Sequence, residues 1–170
     1  MVSDKKEPFI IQGRLFTLLD DGLPDEYLYA DDGFLVVGGD GRILFVGSKL
    51  PIEFGHYTIH NTQHLIFPGF VDAHVHYPQV PVIASYGTSL LEWLDKYTFP
   101  EEIRYGDRSY AGKRAAKFLA LILEKGVTSA AVFSTIHQAA FEALQVSNLD
   151  LGLNLVSGIT GMDRGAPDAL

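Results

Sequence analysis

At 170 residues the chain has the length of one ordinary domain, and its 47% hydrophobic and 20% charged content sets it among globular proteins rather than disordered ones. Thirteen Lys and Arg against 21 Asp and Glu give a formal net charge of −8, which argues against a nucleic-acid backbone or an anionic membrane as partner and favours a small neutral one. With no cysteine, disulfides, thiolate metal ligands and cysteine nucleophiles are excluded, so a bound metal must be held by His and carboxylate. No apolar run approaches the roughly 20 residues that span a bilayer. The segment Met1–Pro8 has charges without the apolar core of a signal peptide, so a cytoplasmic protein is expected.

In chain order, residues 9–67 read as short strands and turns. Phe9 to Leu19 is mostly apolar. Phe34–Val37 and Ile43–Val46 flank Gly38-Gly39-Asp40-Gly41-Arg42, a hairpin signal because Gly-Gly and Asp-Gly tolerate positive φ. A last strand runs from Tyr57 to Phe67, and His56, His60 and His64, in or beside it among polar neighbours, read as surface or turn residues.

From Gly69 the pattern becomes strand, helix, strand, helix, strand, which implies a parallel sheet with crossover helices. The first strand follows the Pro68-Gly69 turn. The apolar spacing of Leu90-Leu91-Glu92-Trp93-Leu94 predicts a helix packed on its neighbours. A longer helix starts at Asp107, repeats Ala111, Ala115, Phe118, Leu119, Ile122 and Leu123 at helical spacing, and ends at Lys125-Gly126. Val127–Ser134, Gln138–Val146 and Leu151–Ile159 then read as strand, helix and strand.

The chemistry concentrates in Pro68-Gly69-Phe70-Val71-Asp72-Ala73-His74-Val75-His76. Strict alternation places Asp72, His74 and His76 on one face of the strand and Val71, Ala73 and Val75 on the other. Two imidazoles at i and i+2 can converge on one divalent ion about 2.0–2.1 Å from each ring nitrogen. Taken alone, His-x-His fits equally a structural pair hydrogen-bonded in a polar pocket. Asp72 lies deeper along the strand than the two His, which suits a structural hydrogen bond better than ligation.

This stretch resembles the first barrel strand of the amidohydrolase superfamily, whose two His bind a catalytic metal. Tyr77-Pro78-Gln79, Leu90 to Glu101, Thr128 to His137 and Gly161 to Pro167 follow in order and resemble its guanine deaminase family, with Gly165 where bacterial members usually carry Asn. The resemblance covers most of residues 9–170. It implies a mixed α/β fold in two parts: residues 1–67 as strands of a partial β-sandwich, and residues 68–170 as the first strands and helices of a TIM-like (β/α)8 barrel. It also implies hydrolytic deamination of guanine to xanthine and ammonia, one zinc ion per subunit on His74 and His76, guanine contacts from His76 and Gln79, and a homodimer when the protein is complete. Imidazole suits iron as well as zinc, so zinc rests on the resemblance.

Gln79 can donate to and accept from a purine edge, or be a plain loop residue. His137 is either a hydrogen-bonding support at the active face or a turn residue. Three parallel strands cannot close a barrel of eight, so the chain is expected to be the N-terminal portion of a longer enzyme, its open sheet exposing an edge and an apolar face. The family's further His ligands, its Asp and its proton-shuttling Glu have no counterpart in these 170 residues, so no catalytic residue is assigned here and the isolated chain is expected to be inactive. Two alternatives stand beside this reading: another amidohydrolase acting on amino- or chloro-heterocycles, and a truncated, non-catalytic product that pairs with a full-length subunit.

Overall fold

The computed structural model describes residues 6–19, 26–162 and 165–170. The chain divides into two compact units, Met1–Pro68 and Gly69–Leu170.

The first unit is a four-stranded sheet in the order β3-β2-β1-β4, formed by β1 (Phe9–Leu18), β2 (Tyr27–Val37), β3 (Ile43–Gly47) and β4 (Thr58–Ile66). The β1–β2 and β2–β3 pairs are antiparallel, and β4 lies parallel to β1. Between β2 and β3 the expected hairpin closes where Gly38 N–H donates to the Arg42 carbonyl at 2.8 Å and Asp40 accepts from Arg42 N–H at 3.0 Å. Gly41 takes φ +82°, the left-handed value for which this Asp-Gly pair is suited. Strand β2 begins at Tyr27, seven residues before the apolar run Phe34–Val37, because its first half pairs with the far end of β1 (Leu18 with Tyr27, Leu15 with Ala30). Ile10, Leu15, Ala30 and Val36 form its buried side, while His56, His60 and His64 are exposed.

The second unit is a parallel sheet in the order β5-β6-β7, with β5 (Phe70–His76), β6 (Val127–Phe133) and β7 (Asn154–Gly158). Two crossover helices, α3 (Arg108–Glu124) and α4 (Gln138–Asn148), connect the strands and pack together with one face of the sheet. The α3 stripe Ala111, Ala115, Phe118, Leu119 and Ile122 is buried, as its spacing requires. Asp107 caps that helix by accepting from Tyr110 N–H at 2.7 Å, and Gly126 at φ +79° ends it.

Between β5 and α3 the backbone is more broken than the apolar spacing implies. A 3-10 turn (Tyr77–Val82) is followed by the single-turn helix α1 (Leu90–Trp93), a π-helical turn (Leu94–Thr98) and the short helix α2 (Phe99–Ile103). Leu90 and Leu91 are 69% and 72% exposed, so only part of this segment packs inward; Trp93 is half-buried.

Strand β5 also departs from strict alternation. Asp72 pairs with Ala130 and Val75 with Val132, so β5 advances three residues while β6 advances two, and the extra residue bulges β5 at Ala73–His74. Ala130 and Val132 both lie on the buried, helix-covered face. Asp72 therefore takes the helix-side register with Val75, and the expectation that it shares a face with His74 and His76 is overturned by the bulge.

Candidate metal centre

His76, the last residue of β5, pairs with Phe133, the last of β6, on the face opposite Val75 and Val132. His74, two residues earlier on the strand, lies beside it, and the two Nε2 atoms lie 3.3 Å apart. Two nitrogens about 2.0–2.1 Å from one tetrahedral ion are separated by about 3.3–3.4 Å, so the pair already has the spacing of two ligands on one metal. The histidine donor set suits zinc. Among the described residues no third His, Asp or Glu joins this pair in a group able to hold a metal. Asp72 instead accepts from the His74 backbone N–H at 3.1 Å, bracing the bulge.

Burial pushes the His76 imidazole below its usual pKa, and repulsion from His74 lowers it further. Both effects favour the neutral ring, which is the ligating form. The Phe133 ring lies against both imidazoles, stacked on His76 at 4.8 Å between centroids with a 12° interplanar angle, and tilted over His74 at 4.7 Å and 42°.

The turn after β5 is fixed from two sides. Tyr77 O–H donates to the Ala140 carbonyl at 2.7 Å, and Tyr105 O–H donates to the Pro78 carbonyl at 3.4 Å. Glu102 is 4% exposed with its Oε2 unpartnered, and burial raises its pKa while the nearby Gln79 amide partly offsets the rise. Gln79 sits three residues past His76, in the 3-10 turn that follows β5. Glu102 belongs to the segment that sequence reading singled out as a block, but its contact with Gln79 depends on how α2 folds back and has no local signal. His137 begins α4, with Nδ1 2.9 Å from Thr135 Oγ1 and its backbone N–H donating to the same oxygen at 3.1 Å, which makes it a turn residue.

A parallel α/β sheet with paired imidazoles at the carboxyl end of its first strand defines the class, a metal-dependent hydrolase fold. The sequence profile of the amidohydrolase family matches residues 65–165, and the chain belongs to that family, whose membership implies a metal cofactor. Guanine deaminase of Escherichia coli K12 is 39% identical over 149 residues, covering 84% of this chain and 33% of that protein. The guanine deaminase structure from Bradyrhizobium japonicum superimposes with a TM-score of 0.88 at 33% identity, over 96% of this chain and 37% of that one. That from C. acetobutylicum, with guanine bound in its active site, gives 0.85 at 30%, over 96% and 39%. Atrazine chlorohydrolase TrzN from Arthrobacter aurescens TC1, complexed with zinc, shares the fold at a TM-score of 0.69 and 20% identity, over 89% and 35%. The chain thus spans between a third and two fifths of the length of these guanine deaminases. No helix among the described residues is long and apolar enough to cross a membrane.

Proposed function

We propose that this chain is the N-terminal part of a zinc-dependent guanine deaminase, which hydrolyses guanine to xanthine and ammonia. The observation that carries the reading is the His74–His76 pair at 3.3 Å in a chain whose match to guanine deaminases runs over 84% or more of its length. In this reading residues 1–67 are strands of a β-sandwich, and residues 68–170 open a (β/α)8 barrel whose interior is the His-bearing face of the β5-β6-β7 sheet.

His74 and His76, whose Nε2 atoms converge, would hold the zinc ion, and the lowered basicity of His76 favours the neutral, ligating ring. Lewis acidity and activation of water near neutral pH are the chemistry that zinc supplies when bound. Gln79 orients the purine through its amide at the mouth of the site, and His76 borders the base from the strand end. The acid–base carboxylate and the remaining ligands come from strands beyond these 170 residues. The complete enzyme is a cytoplasmic homodimer.

The test uses the longest polypeptide translated from this reading frame, supplied with zinc. Ammonia release from guanine that disappears in His74→Ala and His76→Ala supports the reading. Release from an amino- or chlorotriazine but not from guanine transfers the chain to a heterocycle hydrolase of the same family. A product no longer than these 170 residues, inactive on both but associating with a longer subunit, reduces it to a non-catalytic partner.

A further inference from the structure

The imidazoles that ligate a metal are usually aimed by a hydrogen bond from the non-ligating ring nitrogen to a carboxylate, carbonyl or water, because a His χ2 angle is otherwise loosely held. Among the described residues neither His74 nor His76 has a side-chain hydrogen bond other than the Nε2···Nε2 approach between them. The carboxylate nearest in sequence, Asp72, is committed to the His74 backbone N–H. What both rings do share is Phe133. Parallel pairing of His76 with Phe133 sets the phenyl ring at the level of the imidazoles, and the i,i+2 spacing places the second imidazole against the same ring.

We infer that Phe133 is the positioning residue of the metal pair, a stacking platform whose contact with both imidazoles fixes their planes and so keeps the two Nε2 atoms converged. The inference rests on the zinc reading above. The near-parallel contact with His76 resists rotation of that ring out of the plane of Phe133, while the tilted contact blocks His74 from swinging away from its neighbour. Leu at this position supplies volume without a flat face, whereas Tyr retains the face.

The experiment titrates zinc chloride into the metal-free form of the longest polypeptide translated from this reading frame by calorimetry in four forms: unaltered, Phe133→Leu, Phe133→Tyr and His74→Ala. Unfolding midpoints are measured alongside. Phe133→Leu is expected to bind zinc about tenfold more weakly, the lower end of what loss of a ligand-orienting partner costs, with Phe133→Tyr within about twofold of the unaltered chain. Affinity in Phe133→Leu equal to that of the unaltered chain, or a loss in Phe133→Tyr as large as in Phe133→Leu, overturns the inference. A second measurement needs no variant: nuclear Overhauser contacts from the Phe133 ring to the carbon-bound protons of both imidazoles are expected in the metal-free chain, and their absence likewise overturns it. His74→Ala that binds zinc as tightly as the unaltered chain defeats the ligand reading instead, a result distinct from failure of the Phe133 platform.

Discussion

Removing the Tyr77 hydroxyl tests how firmly the carboxyl end of β5 is anchored. Tyr77 follows His76 directly, is fully buried, and donates to the Ala140 carbonyl in α4 at 2.7 Å, a link across 63 residues. Its ring meets Tyr105 edge-on at 5.3 Å and Phe118 at 5.7 Å. In Tyr77→Phe these ring contacts survive, and the Ala140 carbonyl keeps its helical partner, so the loss reduces to one neutral hydrogen bond, about 1 kcal/mol. Tyr77→Ala removes the ring as well and should cost about 3–5 kcal/mol. For a unit the size of Gly69–Leu170, 1 kcal/mol corresponds to about 4–8 °C in Tm. Urea unfolding followed by far-UV circular dichroism measures both variants. Burial raises the Tyr77 phenol well above its ordinary pKa, so the group stays neutral and the Tyr77→Phe difference should be constant from pH 6 to 9. A Phe variant as costly as the Ala variant, or one with no measurable effect, would refute the assignment of this hydroxyl as an anchor.

Three further substitutions probe separate links. Asp107→Ala deletes the cap that accepts from Tyr110 N–H and should destabilise by about 1 kcal/mol, read as a lower urea midpoint and faster exchange of the Tyr110 amide. Ala84 holds φ +63°, a left-handed conformation costing an L-residue about 1–2 kcal/mol; after the extra unfolded-state entropy of glycine, Ala84→Gly should stabilise by about 0.5–1 kcal/mol in thermal melts. Glu102 has its pKa raised chiefly by burial, so the folded chain retains this proton to higher pH than the unfolded chain does. Its contribution to stability is full below the unfolded carboxyl value and is lost as pH rises through the folded value. Glu102→Gln cannot titrate, so its stability relative to the unaltered chain should climb as pH rises through that window, then level off; a difference independent of pH in urea midpoints would contradict the buried-carboxyl account.

Features set by neighbours along the chain were legible from sequence. Asp107 and Gly126 bound α3, the Gly-Gly-Asp-Gly turn closes β2 on β3, and β6, α4 and β7 lie where the apolar patterns place them, within a few residues at their ends. His74 and His76 converge as i,i+2 spacing suggests. Features set by register were not legible. Alternation cannot reveal the extra residue at Ala73–His74, because a bulge is defined only against the partner strand, and so the side taken by Asp72 was misread. The same holds for Phe133, brought to His76 by pairing across 57 positions of sequence, and for Glu102, which reaches Gln79 only after α2 folds back. The Leu90–Leu94 spacing is helical but continues into a π turn, and exposed Leu90 and Leu91 show that apolar content at this place is not all spent on the core of this unit.

The β5-β6-β7 sheet separates stability from chemistry by face. On the helix side, Val75, Ala130, Val132 and Leu155 pack against α3 and α4, and this face carries the hydrophobic stabilisation of the unit. On the other side, pairing lines up Val71 with Ser129, Ala131 with Val156 and His76 with Phe133, so the face passes from small and aliphatic groups to an aromatic and imidazole rim at the carboxyl ends of β5 and β6. Val71 and Val156 there are 74% and 72% exposed, a state that apolar side chains of a finished interior do not hold. Polar function at the rim is thereby compatible with a sheet whose folding depends on the opposite side. The bulge at Ala73–His74 leaves that division intact: alternation sets His74 and His76 to the rim and Val75 to the helix-side core, and the inserted residue changes the side taken by Asp72.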